Sequence, residues 1–194
     1  MNAPLPDGAT QLTPAEEEGL IPSHITNRSE LNSLEQTNIL QAEAWLLTRR
    51  RKPDPLDPVF LKELHRRMFG SVWKWAGIYR KSDRNIGIHW PRISIELETL
   101  CRDAAFWKSE GVCPPDELAV RFHHRLVWIH CYPNGNGRHA RLTGDLLVMS
   151  LGGRRFTWGG SSLEAPTDVR RTYIDALRKA DGGDPVDLLK FARS

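Results

Sequence analysis

The sequence predicts an all-α protein, a helical bundle interrupted by one small β-hairpin. Three observations carry that expectation. Apolar residues recur at three- and four-residue spacing through most of the 194-residue chain. Proline and glycine clusters punctuate it where those periodic stretches stop. Alternation of apolar and polar residues occurs in one short stretch, where Ile86, Ile88 and Trp90 are separated by Gly87 and His89.

The elements follow in order. Residues 1–22 are rich in Pro and Glu and read as loose, apart from a short turn begun by Thr13-Pro14. From Ser29 to Arg50, the spacing of Leu31, Leu34, Asn38, Ile39, Ala42, Trp45 and Leu46 predicts a helix, which Pro53, Pro55 and Pro58 then break. A second helix runs from Pro58 to Met68 with Phe60, Leu61, Leu64 and Met68 inward, and Trp73 and Trp75 are assigned to the core. Residues 79–95 carry the hairpin pattern, and Ile95 to Glu110 returns to helical spacing. After Pro114-Pro115, Asp116 is placed to cap a helix through Ile129, with Leu118, Phe122, Leu126 and Ile129 on one stripe. A helix from Arg138 to Leu151 stops at Gly152-Gly153, and another runs from a Thr167 cap to Gly182-Gly183. Residues 184–193 supply a last turn or two.

Composition narrows the function. Hydrophobic residues make up 40% of the chain, enough for one real core. No run of about 18 apolar residues exists, so no membrane span is expected. The first residues lack the basic start and apolar stretch of a signal peptide, and three widely spaced cysteines suit a reducing compartment, so a cytoplasmic protein is expected. The net charge of +3 is unevenly spread. Residues 1–48 hold seven acids against one base, a charge of −6, which leaves twenty-six bases against seventeen acids, or +9, on the remainder. A basic body suits a polyanionic ligand such as a nucleotide, and an acidic leader suits a segment that docks on that body. A solvated surface with local charge runs explains the same numbers.

Residues 130–142, "HCYPNGNGRHARL", concentrate the chemistry. Glycines on either side of Asn136 allow positive φ and a tight turn, whose successive N–H groups can bind an anion. The helix start beyond it adds unpaired N–H groups and a positive dipole end. Arg138 and Arg141, three residues apart, share a helix face and can hold phosphates. His130, just ahead of the turn, can act as a base at neutral pH and take a proton from an incoming hydroxyl. No G-x-x-x-x-G-K-[ST] loop or kinase signature is present, so this would be a different phosphate cradle. A plain turn between two helices, with its arginines in water, is the competing explanation for the Gly-Asn-Gly-Arg fragment. His123, His124, His130, Cys131 and His139 lack metal-ligand spacing, and His123 or His124 reads as a packed or surface histidine beside the site. The basic run Arg49-Arg50-Arg51-Lys52 has no groove-reading motif beside it, so nucleic acid is not an expected partner.

The stretch resembles the signature of the Fic (Fido) family, H-P-F-x-[D/E]-G-N-G-R-x-x-R, and the resemblance extends over residues 55–194. The segment "GLIPSHITNRSELNSLEQTNILQAEAW", together with "FHHRLVWIH", resembles the subgroup called mobile mystery protein B, associated with mobile elements. The resemblance implies a Fic-like helical core at 55–194 behind an acidic, autoinhibitory leader and helix at 1–54. It implies transfer of AMP from ATP, with Mg²⁺, to a Ser, Thr or Tyr hydroxyl of a target protein. His130 would be the general base, with Gly135, Asn136 and Gly137 the anion hole and Arg138 and Arg141 the phosphate ligands. Asn85, Ile86, Gly87, Ile88, His89 and Trp90 would form a flap that docks the target by strand addition. A toxin-like or regulatory role in a bacterium, with an antitoxin or regulator as partner, belongs to the same expectation.

Three positions depart from the signature: Cys131 replaces Pro, Tyr132 replaces Phe, and Asn134 replaces the acidic residue that helps hold Mg²⁺. Asn134 can ligate a cation only weakly, as a neutral amide. Phosphoryl or other nucleotidyl transfer, and a non-catalytic nucleotide- or partner-binding module, therefore stay open. The inhibitory helix of many such proteins reads [S/T]-x-x-x-E-[G/N]. Thr26 to Glu30 fits five positions and Leu31 fails the sixth, so the resemblance would pair Glu30 with Arg141; a helix-start carboxylate near the N-terminal dipole is the competing explanation.

Overall fold

A computed structural model describes residues 10–160 and 168–194. Eight α-helices follow one another among the described residues: α1 (Pro14–Glu17), α2 (Arg28–Thr48), α3 (Pro58–Phe69), α4 (Ile93–Glu110), α5 (Pro115–Ile129), α6 (Asn136–Ser150), α7 (Asp168–Asp181) and α8 (Val186–Arg193). Short 3-10 turns at Trp90–Arg92 and Trp158–Gly160 join them. Thr167, the expected cap of α7, lies outside the described residues.

Local chemistry explains most boundaries. The Asn27 side chain accepts from the Glu30 N–H at 3.0 Å and starts α2, and Asp57 accepts from the Val59 N–H at 2.9 Å ahead of Pro58 in α3. Gly111 ends α4 in the left-handed region. Asp116 does not cap α5: Pro114 occupies that position, and the Asp116 carboxylate instead accepts from Arg193 Nε at 2.6 Å, pinning α8 to the start of α5.

Two apolar clusters form. One gathers α4, α5, α6, α7 and α8 around Leu97, Leu118, Phe122 and Leu147. The other gathers α2, α3 and the segment after α3 around Leu64, Met68, Trp73 and Trp75, and reaches α6 through Leu142. The most extensive packing is between α5 and α6, so the loop joining them, residues 130–135, is held from both sides.

Two further expectations are corrected. Residues 10–22 are not loose. The Ile21 N–H donates to the Val72 carbonyl at 2.9 Å, the Lys74 N–H to Gly19 at 2.8 Å, and an isolated antiparallel bridge joins Leu20 to Trp73. The 79–95 hairpin does not form either. Its alternation is real, for Ile86 and Ile88 are half-buried between exposed neighbours, but no backbone-to-backbone bond from Asn85 to Ile88 is made among the described residues. The cause is that side chains take the place of a partner strand. Buried Arg80 donates to the carbonyls of Ser82, Ile88 and His130, and Asp83 accepts from the Trp90 N–H and pairs with His89. A period of two reports which faces differ, not that a second strand is opposite.

Candidate active site

The site grows from the end of α5. His130 terminates that helix with φ 55°, a left-handed conformation uncommon outside glycine, and its side chain is only 6% exposed. Its Nε2 lies 2.9 Å from the Thr10 hydroxyl, contributed by the acidic leader. Burial lowers the imidazole pKa to about 3, the charges of Arg80 and Arg84 push the same way, and the Val127 backbone opposes them. The ring is therefore neutral. Nδ1 is buried without a hydrogen-bond partner of good geometry.

The loop beneath is held by neutral groups. Asn136 clamps it, accepting from the Tyr132 N–H at 2.9 Å and donating to the Tyr132 carbonyl at 2.8 Å. The Tyr132 ring stacks on His65 at 3.6 Å between centroids, and its hydroxyl donates to the Leu61 carbonyl at 3.3 Å. Tyrosine at this position thus finds the buried acceptor it needs. His65 accepts from the Gly77 N–H at Nδ1 and donates from Nε2 to the Asn134 carbonyl at 3.1 Å. His139 donates to Leu61 at 2.9 Å, and burial holds its pKa down at about 4. None of these histidines faces a metal: among the described residues no three His, Cys, Asp or Glu side chains could share one. His123 meets the Tyr173 hydroxyl and His124 the Asp181 carboxylate.

The turn itself requires glycine at one place. Gly135 has φ 78°, and an added Cβ would stand 2.6 Å from the Phe69 ring. Helix α6 begins at Asn136, two residues before the expected Arg138, so Asn136 and Gly137 belong to its first turn, where N–H groups lack intrahelical acceptors. Arg138 pairs with Glu35 of α2 at 2.7 Å and lies over the Phe69 ring. Arg141 lies over the Tyr173 ring, 5.5 Å from its centroid, with Nη1 reaching back toward Gly137.

Glu35 is the residue that sequence reasoning missed. Glu35 is 5% exposed, and its carboxylate also accepts from Trp73 Nε1 at 2.6 Å. Glu30, expected on Arg141, turns back on its own helix start, where it accepts from the Thr26 N–H at 3.1 Å, and that bond, with a smaller contribution from Asn27, lowers its pKa. A carboxylate at the first turn satisfies orphan N–H groups and needs no distant cation. A signal for Glu35 exists in the sequence: it stands four residues from both Leu31 and Ile39, a charge on an otherwise apolar stripe.

The segment around Gly87 packs directly on His130. Gly87 has φ 93°, and a Cβ there would come within 2.6 Å of His130 Cβ. Arg80 fastens the two together, donating from Nε to the His130 carbonyl at 2.7 Å. Asn134 directs its amide oxygen at the Gly135 N–H, 2.6 Å away. The motif thus offers one neutral oxygen, already accepting a hydrogen bond, and no carboxylate. These residues do not fit a carboxylate-held Mg²⁺.

A model of the Fic/DOC family matches residues 55–148. The chain carries a Fic/DOC domain. Among curated proteins it is similar to Protein adenylyltransferase Fic of Nematostella vectensis, 34% identical over 133 residues, which cover 66% of this chain and 30% of that protein. The corresponding protein of Aedes aegypti is 30% identical over 133 residues, 66% of this chain and 25% of its own. The chain therefore matches less than a third of these relatives' length. Among solved structures, BepC of Bartonella tribocorum, with bound AMPPNP, has a TM-score of 0.69 at 15% identity, covering 92% of this chain and 96% of that one. Fic-1 of C. elegans has a TM-score of 0.65 at 23% identity, covering 91% and 51%. At these identities the structures establish the helical Fic/DOC fold.

Proposed function

We propose that this Fic/DOC protein is a protein adenylyltransferase that moves AMP from ATP to a Ser, Thr or Tyr hydroxyl of a target protein. The observation that carries the reading is a neutral histidine, His130, already hydrogen-bonded to a hydroxyl and followed by a glycine turn and a helix start with two arginines. The curated relatives named Protein adenylyltransferase Fic support it. The α6 start and the Gly135–Gly137 N–H groups bind phosphate oxygens, and Arg138 and Arg141 bind the outer phosphates. His130 takes the hydroxyl proton as oxygen attacks the α-phosphorus, and pyrophosphate leaves toward the arginines. The bent segment from Asn85 to Ile88, which makes no backbone-to-backbone hydrogen bond among the described residues, receives the target backbone beside the base. Mg²⁺, expected with ATP, has only the Asn134 amide to meet in the motif, so no step depends on it here.

The same reading carries the finer expectations: the mobile mystery protein B subgroup, a toxin-like or regulatory role, a cytoplasmic location, an antitoxin or regulator as partner, and a regulatory leader at 1–54. The leader contacts on His130 and Arg138 support the last of these. No helix among the described residues is long and apolar enough to cross a membrane.

Incubation with α-labelled and γ-labelled ATP and a cell lysate tests the reaction. α-Label on protein that disappears in His130→Ala is the expected result. γ-Label alone would establish phosphoryl transfer, the reading that the amide at Asn134 favours, and ATP binding with no transfer would leave a binding module.

A further inference from the structure

Arg138 and Arg141 stand one turn apart on α6, but they are held by different means. Arg138 meets a carboxylate, that of Glu35, at 2.7 Å. Arg141 meets a neutral phenol. Its guanidinium lies over the Tyr173 ring of α7, 5.5 Å from the centroid, and donates to the Tyr173 hydroxyl. Helix α7 lies outside residues 55–148, the part of the chain that the Fic/DOC family model matches.

The series of bonds continues inward. The Tyr173 hydroxyl stands 3.0 Å from Nε2 of His123, on α5. Both residues are buried, so water does not compete for either. Chemistry fixes the direction of each bond. A guanidinium only donates, so the Tyr173 oxygen accepts from Arg141. The hydroxyl proton is then left for His123 Nε2, which accepts it, and the imidazole proton sits on Nδ1. Burial and the Arg141 charge keep that ring neutral. Nδ1 is buried without a hydrogen-bond partner of good geometry, an arrangement that apolar packing alone does not explain. The ring is fixed in place by Trp158, 4.6 Å away between centroids, and by Gly144, where an added Cβ would stand 3.5 Å from His123 Cβ.

We propose that Tyr173 is a positioning residue for Arg141, its hydroxyl aimed by His123, and that α7 thereby sets the guanidinium that meets the outer phosphates of ATP. The inference rests on the adenylyltransferase reading above. A phenol orients the guanidinium without offsetting its charge, so an incoming phosphate oxygen has no carboxylate to displace there. A donor already held in its binding orientation loses less freedom when the ligand arrives. Arg138 differs, because it must exchange Glu35 for phosphate. Arg141 is therefore the pre-set half of the cradle, and the side chains that pre-set it come from α5 and α7.

The test titrates two probes, a non-hydrolysable ATP analogue and AMP, against the full natural chain, Tyr173→Phe and His123→Leu. AMP lacks the outer phosphates, so a merely structural loss weakens both probes alike. Tyr173→Phe removes one oxygen and is expected to weaken the ATP analogue by about tenfold while leaving AMP unchanged. His123→Leu, which takes away the acceptor that aims the hydroxyl, is expected to shift the ATP analogue in the same direction and again spare AMP. An unchanged ATP-analogue affinity in Tyr173→Phe, or a loss shared equally by AMP, would overturn this inference alone where the natural chain still labels lysate protein from α-labelled ATP. An unchanged value in His123→Leu would overturn the part assigned to His123. A natural chain that binds neither probe and labels nothing would overturn the adenylyltransferase reading as well.

Discussion

Two regions meet at residues 130–138, and they are built differently. Beneath the loop, Tyr132, His65, His139 and Asn136 are buried, neutral and bonded to backbone groups. Above it, Glu35 meets Arg138 and Thr10 meets His130, and each contact pairs a leader side chain with a group that ligand would otherwise engage. The lower region has no alternative partner, so its bonds serve stability. Under the proposed function the upper contacts are exchangeable, because phosphate would replace the Glu35 carboxylate and a target hydroxyl would replace that of Thr10.

The sharpest way to break this contrast is to cut the lower region. Tyr132→Ala removes a stacked ring and a buried hydrogen bond, and is expected to lower unfolding free energy by about 3–5 kcal/mol, read by urea denaturation. Glu35→Ala cuts the upper region. It leaves Trp73 Nε1 and Arg138 without this carboxylate and is expected to cost about 3 kcal/mol. Unlike Tyr132→Ala, it should strengthen binding of a non-hydrolysable ATP analogue by roughly tenfold, about 1.4 kcal/mol in a titration.

Acid probes the buried histidines of the whole molecule. His65, His123, His130 and His139 all have pKa values held below the ordinary 6.5 by burial. The unfolded chain binds these protons first, so the stabilisation is complete above about pH 6.5 and is lost as pH falls toward 4 and 3. The denaturation midpoint should decline over that window, and ATP-analogue binding at a fixed pH of about 7.5 should not depend on these groups. Asn134→Asp sharpens the upper region by supplying the missing charge. Transfer activity should then gain a dependence on Mg²⁺ concentration that the natural chain has weakly. The smallest effect is expected for Glu30→Gly. Labelling and analogue binding should stay as in the natural chain, in contrast to Glu35→Ala, because Glu30 serves only the exposed start of α2.

Much of the bundle is legible in the sequence because stripes and punctuation agree. Helices α3, α5 and α6 fall within about two residues of the spans that Pro58, Pro114-Pro115 and Gly152-Gly153 imply. The motif is legible for a related reason, since its parts are contiguous. What escapes is contact at a distance. Thr10 on His130 and Glu35 on Arg138 depend on how the leader lies across the body, which no local period encodes. The hairpin expectation fails where a buried arginine substitutes for a strand, and Arg80 gives no sign in the sequence of being 2% exposed.

That arginine has a consequence for variation among such proteins. Its guanidinium rivets the Ser82 and Ile88 carbonyls to the peptide of His130. In this chain the outer face of the segment is exposed at Asp83, Asn85 and Gly87, while its inner rim presents those two oxygens to Arg80. Under the proposed function, target choice and alignment of the imidazole would share one fastener, so a graft that rewrites residues 82–88 wholesale is expected to lower transfer even where it strengthens target binding.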